Sequence, residues 1–248
     1  MKPRFLALLL PPTSWLFVFL LIPTGVVAAS AFSAEGLKYL LDADTLRLVG
    51  RSVWIALLST GISLVVGYPV AWFIAGCGPR WRNFLLFLVV LPFWTNLLVR
   101  TYALMFLARP MGILYTEGAV VLGLVHGYIP FMILPLYASI ERLPKRLMEA
   151  SQDLGASRWT TFWRVAVPLT MPGIAAGCIL VFIPVLGAFA TPEFMGGTAV
   201  RMVGSQIELY FVQTNNPAAG SALTLLLVFL TVALTWLYHR VRKTEGLV

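Results

Sequence analysis

Six long stretches of this chain carry no charged side chain except where Arg100 crosses one of them, and short charge-bearing pieces separate them. The runs cover residues 5–34, 52–79, 83–99 continuing past Arg100 to 108, 118–140, 165–192 and 209–238. Each offers the roughly 20 apolar residues with which a helix crosses a ~30 Å hydrocarbon core. None alternates with the period of two that barrel strands show, so the spanning elements are helices. The pattern predicts an all-α integral membrane protein with spans at about 12–33, 52–76, 84–108, 118–140, 168–191 and 219–239, in a single domain of residues 1–248. The opening run has a basic start and small residues near Ala28, as a secretory leader does. It is about twice as long as the ~7–15-residue core of such leaders, and Pro11-Pro12 interrupts its early part, so we expect a retained span.

Composition agrees with that class. The chain is 59% hydrophobic and 11% charged, with a mean hydropathy of +0.87, outside the range of water-soluble domains. Its net charge of +8 is distributed by position. The two termini, the loop around Arg80 and Arg82, and segment 141–164 hold twelve Lys and Arg, whereas the alternate loops hold five: Lys38, Arg47, Arg51, Arg109 and Arg201. The bias predicts both termini and segment 141–164 on the cytoplasmic side of a multi-pass protein in the bacterial inner membrane. The charge serves topology, and no nucleic-acid partner is expected. Cys77 and Cys178 fall in or at the edge of spans and read as small buried side chains, with no disulfide or metal spacing.

Segment 141–164 carries eight charges: Glu141, Arg142, Lys145, Arg146, Glu149, Asp153, Arg158 and Arg164. Burying them in lipid would cost roughly 20 kcal/mol or more, so the segment stays in water or against protein. Pro144 suits the first turn of a helix with Leu147, Ala150 and Leu154 on one stripe. Gly155 ends that helix, and Ser157 can cap a second in which Trp159, Phe162, Trp163 and Ala166 share a face. The second helix is expected along the membrane surface, with aromatics at headgroup depth and Arg158 and Arg164 toward water or phosphate. On physical grounds alone the segment is a rigid helical elbow or an ordinary connecting loop.

The spacing Glu149-Ala150, Gly155 six residues after the glutamate, then Val165-Ala166-Val167-Pro168 resembles the EAA motif of ABC importer permeases. That resemblance implies a type I importer permease fold of six transmembrane helices, in which segment 141–165 is a cytoplasmic coupling helix docked in a cleft of a separate ATPase subunit. It implies Glu149, Ala150, Ser151, Asp153, Leu154 and Gly155 as coupling residues; Ser151 stands where the motif has its second alanine. No phosphate-binding G-x-x-x-x-G-K-[ST] loop occurs in the chain, so ATP and Mg belong to the partner ATPase and the chain binds no cofactor of its own. The stretches GYPVAWFIA, LPFWTNLLVRTYAL, GLVHGYIPFMILPLYASIERL, EASQDLGAS and PLTMPGIAAGCILVFIPVLGAF followed by PEFMGG are similar to permease subunits of spermidine/putrescine importers. By resemblance the partners are a second homologous permease, an ATPase dimer, a periplasmic substrate-binding protein and membrane lipid. Relatives for iron, opines, phosphonates and thiamine share much of the pattern.

A polyamine pathway is expected to show carboxylates or aromatic faces, yet no Asp or Glu lies inside any run. Glu193, after the fifth span, is the nearest candidate; an interfacial acid or a contact to the binding protein are its other readings, and Glu117 is a more distant acid. Trp94 and Tyr128, each near a proline, are aromatic candidates, with Asn96 a hydrogen-bonding one. Counted along an unbroken helix from Asn83, Arg100 lies about 25 Å into the span, near the far headgroups. If the helix enters lipid near Phe87, Arg100 is deeper and must pair with a carboxylate or helix carbonyls. The resemblance of NLLVR to polyamine permeases implies a structural role. His126 reads as a packed, neutral histidine. Ile207, Tyr210 and Phe211 predict a short external helix before the last span. An ion-driven carrier would need intramembrane acids or broken inverted repeats, and a membrane enzyme a cluster of His with carboxylates; neither is evident.

Overall fold

The computed structural model describes residues 3–245, with side chains for residues 12–144 and 146–236. The described residues are helical almost throughout and contain no strand. In order they form α1 (Pro3–Ala31), α2 (Ala34–Leu41), α3 (Ala43–Gly76), α4 (Pro79–Val90), a 3-10 turn (Leu91–Trp94), α5 (Leu97–Ala108), α6 (Glu117–Glu141), α7 (Lys145–Asp153) and α8 (Arg158–Thr161). There follow a π turn (Phe162–Ala166), α9 (Val167–Leu186), a second π turn (Pro192–Gly196), α10 (Val203–Glu208), a third π turn (Leu209–Gln213) and α11 (Pro217–Glu245). Five helical segments are long and apolar enough to cross a membrane, six if a bent pair counts as one span.

That bent pair is the main departure from the hydrophobic pattern. Residues 84–108, expected as one helix, are two, with an angle of 95° between Pro79–Trp94 and Leu97–Ala108. Pro92 removes an amide donor, Thr95 is extended, and Asn96 caps α5 by accepting a hydrogen bond from the Leu98 amide at 2.8 Å. The capped restart spares the broken backbone its unsatisfied donors. Conversely, Pro11 and Pro12 do not interrupt α1, which runs through both.

Contacts cluster in two compact units, residues 1–49 with 203–248 and residues 50–202. The first unit gathers both ends of the chain because α1 and α2 pack on α11. Ala31, Gly36, Ala219 and Ala222 are buried there, and such small side chains let backbones approach where lipid supplies no hydrophobic drive. The Asn216 amide donates to the Tyr39 hydroxyl at 3.3 Å, and the Tyr39 and Tyr210 rings lie 5.9 Å apart. The short helix expected around Ile207, Tyr210 and Phe211 is α10 followed by the third π turn; Phe211 closes on Gly220.

In the second unit α6 and α9 form the most extensive helix pair. A methyl on Gly173 would come within 2.5 Å of the Ser139 Cβ and 2.8 Å of the Pro135 carbonyl oxygen; one on Gly177 would meet the Met132 sulfur at 2.7 Å. Gly173 and Gly177 are four residues apart, so one face of α9 is hollowed to receive α6. Helix α6 begins and ends on a glutamate, and an arginine holds each. Arg51 of α3 pairs with Glu117 at 2.9 Å and donates to the Ala199 carbonyl at 3.0 Å. Arg82 of α4 pairs with Glu141 at 2.5 Å. The two glutamates stand about 36 Å apart along the axis, enough to place both outside a ~30 Å core.

The packing predicts a contrast between two glycines. Gly173→Val should force α6 from α9 and cost about 1–3 kcal/mol, lowering the temperature at which the detergent-solubilised protein aggregates. Gly61→Ala, on an open face of α3 with nothing within 4 Å, should leave that temperature unchanged or raise it.

Candidate functional site

The eight-charge segment folds as an elbow. Pro144 occupies the N-cap of α7 in an extended conformation, one position before the first turn where the sequence put it. Helix α7 ends at Asp153, and the chain reverses through Gly155 at φ +86°, a left-handed conformation that disfavours any side chain with a Cβ. The Gly155 amide donates to the Gln152 carbonyl at 2.9 Å and the Ala156 amide to the Ser151 carbonyl at 3.1 Å. This Schellman arrangement satisfies the last carbonyls of the helix. Ser157 then caps α8, its hydroxyl accepting from the Thr160 amide at 3.1 Å, and the Ser151 and Thr161 hydroxyls share a hydrogen bond of 3.1 Å across the bend.

The second limb differs from an ordinary amphipathic helix. After one turn of α8 the backbone widens into the π turn Phe162–Ala166 before entering α9. The extra residue splits the expected stripe: Thr161 and Ala166 are buried, whereas Trp159 is 70% and Trp163 52% exposed. The outward rings stay ordered by one another, Trp159 edge-on to Trp163 with centroids 5.6 Å apart and stacked with Phe162 at 5.9 Å.

The six coupling candidates separate by exposure. Glu149, Ala150, Asp153 and Gly155 are exposed, and Leu154 is 89% exposed at the tip. Ser151 is half-buried and braces the elbow from inside. Glu149 has no ion-pair partner among the described residues and borders a cavity of about 320 Å³ with Trp72, Gly76, Ile140 and Glu141. Leu154 and Glu149 thus leave one exposed apolar side chain and one unpaired carboxylate on the capped elbow.

The pathway candidates do not converge on one pocket. Trp94 is 78% exposed and meets Phe87 edge-on at 6.1 Å. Tyr128 stacks with Phe131 at 6.2 Å, and Phe131 meets Phe93 at 4.7 Å. Asn96 spends its side-chain oxygen on the α5 cap. Glu193 lies half-buried on the second π turn, next to a Phe194 ring 5.0 Å from Tyr102. Arg100 is not at the end of a straight span: it follows the 95° bend, its guanidinium 6.0 Å from the Phe93 ring centroid. Its Nε and Nη1 atoms are buried without hydrogen-bond partners. His126, expected to be packed, is exposed on α6. The contact face that sequence reasoning missed is Gly173 and Gly177, whose four-residue spacing is a readable sign of close helix packing.

The sequence pattern of the family described as "Binding-protein-dependent transport system inner membrane component" matches residues 67–244, which include the elbow and both of its flanking helices. The chain belongs to this family of inner membrane components. The permease is similar to the spermidine/putrescine transport system permease protein PotB of Haemophilus influenzae, at 40% identity over 260 residues covering 93% of this chain and 91% of that protein. PotB of Escherichia coli K12 is 36% identical over 259 residues, covering 92% and 94%. Among solved structures, a bacterial ABC transporter involved in the import of the acidic polysaccharide alginate superposes with a TM-score of 0.78 over 97% of this chain and 95% of that one. At 15% identity that likeness shows the fold alone, the ABC importer permease fold.

The left-handed turn gives the permease a local test. Gly155→Val should cost about 1–2 kcal/mol and accelerate amide hydrogen exchange across residues 145–161. Gly155→Asn should do so less, because asparagine tolerates this region.

Proposed function

We propose that this chain is one of two homologous permease subunits that form the translocation pathway of an ATP-driven importer of spermidine and putrescine. The observation that carries the reading is identity of 36–40% over more than nine-tenths of the chain to proteins named as spermidine/putrescine permeases. The elbow is the coupling element. Glu149, Ala150, Asp153, Leu154 and Gly155 enter the partner ATPase, and Ser151 stiffens the bend from within. Because α8 runs through the π turn into α9, displacement of the elbow reaches a membrane helix as a rigid-body movement. ATP and Mg act on the ATPase dimer, and this chain performs transport without bond chemistry of its own. A periplasmic binding protein delivers the substrate.

Orientation follows from charge. The Lys and Arg excess at the termini, the α3–α4 loop and the elbow sets all of them on the cytoplasmic side. This chain's half of the pathway offers no carboxylate within its runs, so its own contacts to a cation rest on aromatic faces such as Trp94 and Tyr128 and on Glu193 at the outer mouth. Weak binding along the way favours release, and selection rests with the binding protein.

The reading is tested with the four-component importer in proteoliposomes. Labelled spermidine or putrescine should enter only with ATP and with every component present. ATPase stimulation by the binding protein without uptake of either polyamine would reassign the substrate, and uptake without the ATPase would overturn the mechanism. Glu149→Lys, which reverses the charge of the unpaired carboxylate, should leave the protein in the membrane and lower uptake at least about tenfold, the range in which truncating one partner of an interfacial charge pair falls. Unchanged coupled uptake in this variant would remove Glu149 from the docking surface.

A further inference from the structure

Beside the elbow a cavity of about 550 Å³ opens between α3 and the turn of α8, within the ~300–1,000 Å³ typical of ligand sites. Tyr68, Trp72 and Phe73 of α3 form one wall, and Met148, Trp159 and Phe162 face them. The one hydroxyl among these rings, on Tyr68, is engaged with Thr170 Oγ1 at 2.9 Å, and both residues are buried. Phe162 stands edge-on to Tyr68 and Trp72 with centroids 5.5 and 5.8 Å away, which fixes an aromatic back wall.

The two ends of this cavity have different chemistry. Along α3 it climbs from Phe73, near the helix end at Gly76, to Tyr68, about 7.5 Å deeper into the span. At its mouth stands Arg158, exposed and without an ion-pair partner among the described residues. The exposed indole of Trp159 lines the cavity with it, a side chain of the kind that settles at headgroup depth. An apolar slot that rises among hydrocarbon and opens on an unpaired cation is complementary to one amphiphile: an acyl chain ending in a phosphate.

We infer that this cavity holds one anionic phospholipid, its acyl chain against Tyr68 and Trp72 and its phosphate on Arg158. Met148 and Gln152 of α7 line the same cavity, so the bound lipid braces the elbow against α3 and makes coupling sensitive to headgroup charge. The inference rests on the proposed position of the elbow at the membrane surface. The ATPase meets Leu154 at the tip, and the lipid lies on the α3 side of the elbow.

The test is native mass spectrometry of the assembled importer titrated with dioleoyl phosphatidylglycerol. The wild type should retain one such lipid for each copy of this chain. Arg158→Gln should weaken retention about fivefold, the effect of one basic residue near an anionic surface, and Arg158→Lys should restore it. Arg80→Gln, at an exposed arginine of α4 outside the cavity lining, should change nothing. A phosphatidylglycerol with a photoreactive tail should label peptides 68–73 or 148–162. Equal retention by wild type and Arg158→Gln, equal loss in Arg80→Gln, or labelling only elsewhere would overturn the lipid site. ATP-driven uptake by wild type from the same preparation reads the importer assignment separately, so failure of one is distinguishable from failure of the other.

Discussion

Hydrocarbon offers no partner to a peptide N–H or to a charge, and this chain is organised around that deficit. Its spans close their backbone hydrogen bonds internally, and its helix pairs come together on Gly173, Gly177 and other small residues that admit a neighbouring backbone. Apart from Arg100, which follows the bend and keeps Nε and Nη1 buried without hydrogen-bond partners, the charges that remain are set at the ends. Glu117 and Glu141 bound α6, and each is held by an arginine from another helix. An apolar helix slides along its axis at little cost, and the ion pairs with Arg51 at one end and Arg82 at the other oppose that sliding.

The same deficit shapes the charged elbow. Segment 141–164 cannot withdraw into lipid, so its shape is set by local hydrogen bonds: the turn at Gly155, the Ser157 cap and the Ser151–Thr161 contact. These leave Leu154 and Glu149 outward on a stiff support. The π turn beyond α8 turns Trp159 and Trp163 outward at the junction with α9, a kind of irregularity often found at functional sites. Force applied at the tip therefore has a short covalent route into a span, and the aromatic cavity lies beside that route.

How much of this was legible in the sequence depended on how local its cause is. The helices were readable because an uncharged run of spanning length has one solution in lipid, and the elbow because Gly155 and Ser157 determine their own turns. The break at Thr95–Asn96 was hidden inside an apolar run: Pro92 occurs in a span as Pro69, Pro130 and Pro135 do, and only Asn96 acting as a cap distinguishes it. That error carried Arg100 with it, since its depth had been counted along a straight helix. The π turns at Phe162, Pro192 and Leu209 left no mark in periodicity, because one added residue shifts a stripe without changing its composition. The exposure of His126 and the division into two units depend on which helices pack together, which a run of apolar residues does not encode. Gly173 and Gly177, by contrast, carry their packing role in their four-residue spacing.

The central claim is that the tip of the elbow contacts the ATPase, and site-directed cross-linking tests it most directly. With Cys77 and Cys178 replaced by serine, Leu154→Cys in the assembled importer, alkylated with a maleimide that carries a photoreactive benzophenone and then illuminated, should join this chain to the ATPase subunit in high yield. Phe106→Cys, also strongly exposed on α5 at 81%, should not. Absence of the Leu154 product in an importer that still transports would contradict the account.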